Sequence, residues 1–241
     1  MIRLREAWFE FNGRRSDEMG IMLTKMPVRG MAAERGKFQK IPGRHGAVWQ
    51  PEDGMDTVEV KIECYVPDGN MEEISRWLTG SGLLCISDDP EWAYEARISK
   101  SFSRSNPIPR FTMQQFAVVF TCQPFRLMYP EAAPITITEN GKRLSPEGNA
   151  IAQPRVEIRG SGSFMLTIGM RTMFFTDITD GIVVDSELMD ALNLTGSALL
   201  NNHVSGDFFE LDPEGMNVVT WVLEDGAEIS EVIITPRWRC Y

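Results

Sequence analysis

Few residues in this 241-residue chain have the types needed for covalent chemistry, and their spacing serves it poorly. Ser161 and Ser163 lie in RGSGSF. A serine nucleophile needs a base beside it and a third group to orient that base. RGSGSF lacks the Gly-x-Ser-x-Gly elbow and has the composition of a turn, and the chain offers only His45 and His203 as bases. Paired carboxylates can cleave a glycosidic bond, but Asp88-Asp89 stand directly before Pro90 and read as a solvated turn. Asp177, Asp180 and Asp185 surround a glycine turn in DITDGIVVD. A calcium loop sets acids at alternate positions ahead of its glycine, and Ile178-Thr179 interrupt that spacing, so only a weak cation site stays open there.

Cofactor chemistry has no more support. Cys64, Cys85, Cys122 and Cys240 are scattered without a CxxC. In a reducing compartment they are expected as free, mostly buried thiols, and two histidines offer no zinc-binding spacing. No GxGxxG follows a strand and opens a helix, and no GxxxxGK[ST] occurs. No cofactor and no metal are therefore expected. Asn193-Leu194-Thr195 has the form of a glycosylation sequon, which means little without a secretory signal. Trp49 and Trp221 fall near expected strands. Aromatic platforms bind sugars, though a strand tryptophan more often serves a core or an interface.

The stretch that asks for an explanation is IPGRHGAVW, residues 41–49. A phosphate cradle leads into a helix N-terminus, where free N–H groups point at the anion. This one leads into Pro51-Glu52-Asp53-Gly54 and then a strand. What remains is an extended arm that turns at Gly43 or Gly46, with Arg29, Arg35, Lys37, Lys40 and Arg44 against the single acid Glu34. An arm with so few apolar residues cannot bury itself on its own domain. It is either disordered or held by a neighbour.

The elements around it must supply the scaffold. The chain is 43% hydrophobic and 24% charged, which is enough apolar material for a globular core. No run of about 18 apolar residues could span a bilayer. The start, MIRLREAWFEFNGRR, mixes charges where a signal peptide needs an apolar stretch, so the chain is expected to begin at Met1 and fold in a cytoplasm. Residues 1–132 carry 17 basic and 18 acidic side chains, and residues 133–241 carry 7 and 16. That imbalance argues for two units, and against nucleic-acid binding by the second.

In MDTVEVKIECYVPDGN the residues Val58, Val60, Ile62, Cys64 and Val66 alternate with polar ones, predicting a half-buried strand stopped by Pro67-Asp68-Gly69-Asn70. MEEISRWLTGSG predicts a helix capped by Asn70, with Glu72 and Glu73 in its first turn. Ile74, Trp77 and Leu78 share one face, and Gly80 and Gly82 end it. Two strands broken at Asp-Asp-Pro and Pro-Ile-Pro follow, the second apolar on both faces, hence central, and ended by Gln123-Pro124. RLMYPEAAP (126–134) reads as a linker. Beyond it, Asn140-Gly141, Asp180-Gly181 and Asp225-Gly226 punctuate about eight short strands like hairpin turns, which indicates a β-sandwich. SELMDALNLTGSALL has room for a helical turn, though Gly196 argues against a long helix.

Taken in order, FEFNGRRSDEMGIML, IPGRHGAVW, EEISRWL, DDPEWAYEARI and FAVVFTCQPF resemble the distal tail proteins of long, non-contractile-tailed bacteriophages. NAIAQPRVEIRGSGSFMLTIG, GIVVDSE, NNHVSGDFFELDPEGMN and VIITPRWR resemble that family's second domain. The resemblance implies a mainly β fold of two β-sandwich domains, the first (1–132) with one packed α-helix and a long hairpin arm at about 29–56, the second (133–241) galectin-like. It implies a structural, non-enzymatic protein of a phage or prophage tail tip, made and assembled in the bacterial host cytoplasm. Its homohexameric ring would join the tail tube protein to the tail-tip hub of the baseplate, without membrane or sequence-specific nucleic acid as partners. The arm embraces the adjacent subunit, and Arg35, Lys37, Lys40, Arg44, His45 and Trp49 are its candidate contact residues. The alternative is a carbohydrate-binding module that docks the virion on host cell-wall saccharides.

Overall fold

A computed structural model describes residues 6–67, 71–100 and 114–241. The expected Asn70 cap and the Pro107-Ile108-Pro109 break lie outside them. Residues up to Tyr129, with Tyr241, form one compact unit, and Pro130–Cys240 form the other.

The first unit is built from β1 (Phe9–Phe11), β2 (Arg14–Arg15), β3 (Met22–Leu23), β4 (Glu34–Gln39), β5 (Val48–Met55), β6 (Val58–Val66), α1 (Met71–Trp77), β7 (Ser81–Ile86), β8 (Trp92–Ile98) and β9 (Gln114–Met128). Its sheet runs β2-β1-β7-β8-β9-β6-β3, while β4 and β5 pair with each other as a separate two-stranded ribbon. In β6 the five expected apolar residues are buried and Glu59 and Lys61 face outward, as period-two alternation requires. The helix lays Ile74 and Leu78 into the core, and Trp77 stacks on Phe9 at 5.4 Å while its Nε1 donates to the Phe11 carbonyl at 2.9 Å.

Two expectations shift here. Gly80 follows the helix at φ 80°, but Gly82 already belongs to β7, opposite Ala96. Strand β9 does not stop at Gln123-Pro124. It continues to Met128 because the register with β8 slips between Tyr94 and Ala96, and such a bulge tolerates a proline that cannot donate to the ladder. The connection between units is accordingly shorter than expected, starting after Met128.

The second unit comprises β10 (Ile135–Ile137), β11 (Lys142–Leu144), β12 (Arg155–Ile168), β13 (Arg171–Ile178), β14 (Ile182–Asp185), β15 (Asp190–Leu192), β16 (Val204–Gly206), β17 (Asn217–Leu223) and β18 (Glu228–Thr235). Strand β12 belongs to two layers. Its first half pairs with β18 and β14, and its second half with β17 and β13. One layer is β10-β18-β12-β14-β15, and the other is β11-β17-β12-β13-β16. The inner faces meet in a core that includes Ile158, Leu166, Phe209, Val219 and Trp238, with Phe164 and Phe175 stacked at 4.9 Å.

RGSGSF is therefore no turn. It is the bend at which β12 changes layers, with register shifts beside Gly160 and Gly162. Gly162 sits at φ 91°, and a Cβ there would lie 2.7 Å from the Ala227 backbone. The three turn dipeptides are also reassigned. Asn140-Gly141, Asp180-Gly181 and Asp225-Gly226 each carry the chain from one layer to the other, with glycine φ values of 89°, 122° and 82°. A positive φ permits a corner between layers as readily as a hairpin. The segment 186–200 holds turns and β15, and the only nearby helical turn is the short 3-10 stretch Asn201–His203.

Candidate functional site

Strands β4 and β5 form the arm. Nothing from residue 30 to 57 is buried, although the segment holds regular paired strands. At roughly 3.3 Å per residue, β5 alone spans about 26 Å. Pro42-Gly43 builds the tip turn, with the Arg44 N–H donating to the Ile41 carbonyl at 3.1 Å and Gly43 at φ 78°. Gly46 is also left-handed at φ 80°, so both candidate glycines bend the chain.

The register sets Phe38 opposite Trp49 and Gly36 opposite Pro51, which puts these four on one face of the ribbon. The rings of Phe38 and Trp49 meet edge to face at 4.9 Å. The Trp49 ring also lies across Gly36, where a Cβ would come within 2.3 Å of it. Lys37 pairs with Gln50 in register, on the opposite face. Its ammonium reaches Glu52 at 3.2 Å, and the Arg35 guanidinium reaches Asp56 at 3.5 Å. Lys40, Arg44 and His45 occupy the exposed tip and make no ion pair with any described residue.

Among the described residues, the arm's contacts with the rest of its unit lie at its root. Val28 bridges to Lys61, the Asp56 N–H donates to the Ala33 carbonyl at 2.8 Å, and Arg29 pairs with Asp88 and Asp89. Burial works against the Arg29 cation, but the two carboxylates outweigh it and raise its pKa. Asp89 also accepts from Arg126. The Asp-Asp-Pro segment is a turn as expected, with Asp88 exposed. It is an ionic clamp at the base of the arm.

The residues that first suggested chemistry are otherwise employed. The Ser163 hydroxyl accepts from the Asp177 N–H at 3.2 Å. His203 Nδ1 donates to the Thr176 carbonyl at 2.9 Å, while His45 stands on the arm tip. Asp177 and Asp180 are exposed, but Asp185 is 5% exposed and takes both Arg237 Nη groups at 2.7 and 2.8 Å. The open cation site is corrected by that pairing, and among the described residues no three acids, histidines or cysteines gather to hold a metal. Burial pushes the Cys64 and Cys122 thiols up to about 12 and Cys85 up to about 11. Trp221 lies in register with the fully buried Leu166, so it faces the core side, and Asn140 binds its backbone N–H and carbonyl. The residue is half-buried.

No protein-family model matches the sequence, and no curated protein matches it. Coordinates carry more information. The chain superposes on the crystal structure of the Dit protein of phage SPP1 with a TM-score of 0.73, over 95% of this chain and 98% of that one, at 15% identity. The fold is that of SPP1 Dit. The SPP1 Dit structure is presented as a paradigm of the hub adsorption apparatus in phages that infect Gram-positive bacteria. Two structures of the phage p2 baseplate in its activated conformation, with Sr and with Ca, align at a TM-score of 0.47. Identity is 8% and 7%, covering 95% and 97% of this chain and 97% and 98% of those chains. At 15% identity, the Dit fold conveys chain path and not site chemistry. The side chains that charge counting missed are Phe38, Ile41 and Val48. A hairpin centred on Gly43-Arg44 would have disclosed them, because it puts residue 38 across from residue 49.

Proposed function

We propose that this protein is a structural component of a phage tail tip, assembling as a homohexameric ring that connects the tail tube to the baseplate hub. Its partners are further copies of itself, the tube protein and a hub protein. One observation carries the reading: a paired hairpin with no buried residue between 30 and 57, extending from a chain that has the Dit fold. A regular ribbon that gains nothing from its own core needs an external surface, and a closed head-to-tail ring supplies one to every subunit.

The role is mechanical. Ser163, His203 and Asp185 are each held by other groups, in backbone hydrogen bonds and an ion pair, which supports a scaffold and not an enzyme. Negative-stain microscopy of the purified protein over a concentration series tests the proposal. Six-fold rings with a central hole are expected. Particles that remain monomeric at high concentration, together with specific binding on a glycan array, would overturn it in favour of a saccharide-binding module.

A further inference from the structure

Resting on that assembly reading, we infer that the arm holds a second copy of this chain through its aromatic face, Phe38 with Trp49, and that its cations are secondary. The hairpin is two-faced. One side gathers Gly36, Phe38, Trp49 and Pro51, and the other carries Lys37 and Gln50. Phe38 is 70% exposed and Trp49 39%, and Ile41 in the turn is 45% exposed. Among the described residues, no core side chain covers that face.

The two rings form an anchor whose shape is set before any contact. Trp49 is wedged between Phe38 and the bare backbone of Gly36, so little rotamer freedom is left to lose on docking. Interface energy concentrates in such aromatic anchors, tryptophan above all, when a partner desolvates them. The cations are poorer candidates. Arg35 and Lys37 already have acids on the same hairpin, and all four groups remain more than half exposed, where ion pairs contribute little.

A second copy is the fitting occupant on charge. The tip displays Lys40 and Arg44 without acidic partners among the described residues, while each copy carries a net charge of −10. Those two cations steer the arm toward an acidic neighbour, and the aromatic face supplies the hold.

Two double variants separate the contributions, Phe38→Ser with Trp49→Ser and Lys40→Ala with Arg44→Ala. Sedimentation equilibrium over a concentration series gives the self-association constant of each, and far-UV circular dichroism checks that each monomer keeps its fold. The aromatic pair is expected to weaken association at least 10-fold at every salt concentration. The charge pair is expected to weaken it no more than about 3-fold, an effect that shrinks as salt screens it. Association unchanged in the aromatic variant but lost in the charge variant would overturn this inference while leaving the assembly reading intact. A native protein that never self-associates would overturn both.

Discussion

Replacing residues 35–54 with Asn-Gly would join Glu34 to Met55, which are already partners in register, through a two-residue hairpin turn. The cost to the monomer follows from what the excision removes. No excised side chain is buried, and the Phe38–Trp49 and Lys37–Glu52 contacts leave together with the arm. The contact severed is Arg35–Asp56, with side chains 51% and 65% exposed, and such a surface pair is worth about 0–1 kcal/mol. Against that, shortening a closed loop from about 20 residues to 2 relieves roughly 2 kcal/mol of closure entropy if the arm behaves as a chain segment without its own support. The first unit should therefore melt unchanged or up to about 10 °C higher. Differential scanning calorimetry measures that, and light scattering on the same sample should show monomers, against the rings proposed for the native protein. A melting temperature lowered by more than about 4 °C, with dye binding to exposed core, would mean the arm supports its own domain. Persistent hexamers would mean that it does not join subunits.

Two further expectations concern the second unit and the thiols. Burial acts to raise the pKa of Asp185, but the Arg237 hydrogen bonds and the Leu188 and Glu187 N–H groups outweigh it and hold the carboxyl below its ordinary value. Its contribution is thus complete above the unfolded carboxylate pKa near ~3.9 and is lost as pH falls through the depressed folded value. Asp185→Ala should cost about 2 kcal/mol at pH 7 by removing the bidentate hydrogen bonds and leaving Arg237 with Glu187 at 3.3 Å, with a penalty that fades in acid; equal destabilisation in urea melts at pH 7 and pH 2.5 would refute it. In native protein at pH 8, a thiol reagent should label Cys240 alone at appreciable rate, since the other three thiols are buried with raised pKa values. Rapid labelling of Cys64 or Cys122 without denaturant would contradict that packing.

What the residues announced by themselves was local. Alternation in 58–66 declared its strand and its buried face, because a two-residue period needs no partner to be read. The apolar positions of the helix over Met71–Trp77 and the arm's inability to bury itself were equally plain from composition and spacing. The tertiary structure decided where those elements go. Asn140-Gly141 and its two counterparts specify a positive φ, yet whether the chain then reverses within a layer or crosses to another depends on which distant strand buries the next apolar face. The bend in β12 exists because two glycines let the backbones of 227–229 approach, a contact between segments far apart in sequence. In the same way, counting cations named the arm, but only the cross-strand register placed Phe38 against Trp49 and supplied Arg35 and Lys37 with acids of their own. Short-range preferences depend on each residue and its neighbours, whereas pairing, burial and exposure depend on everything the folded chain brings alongside.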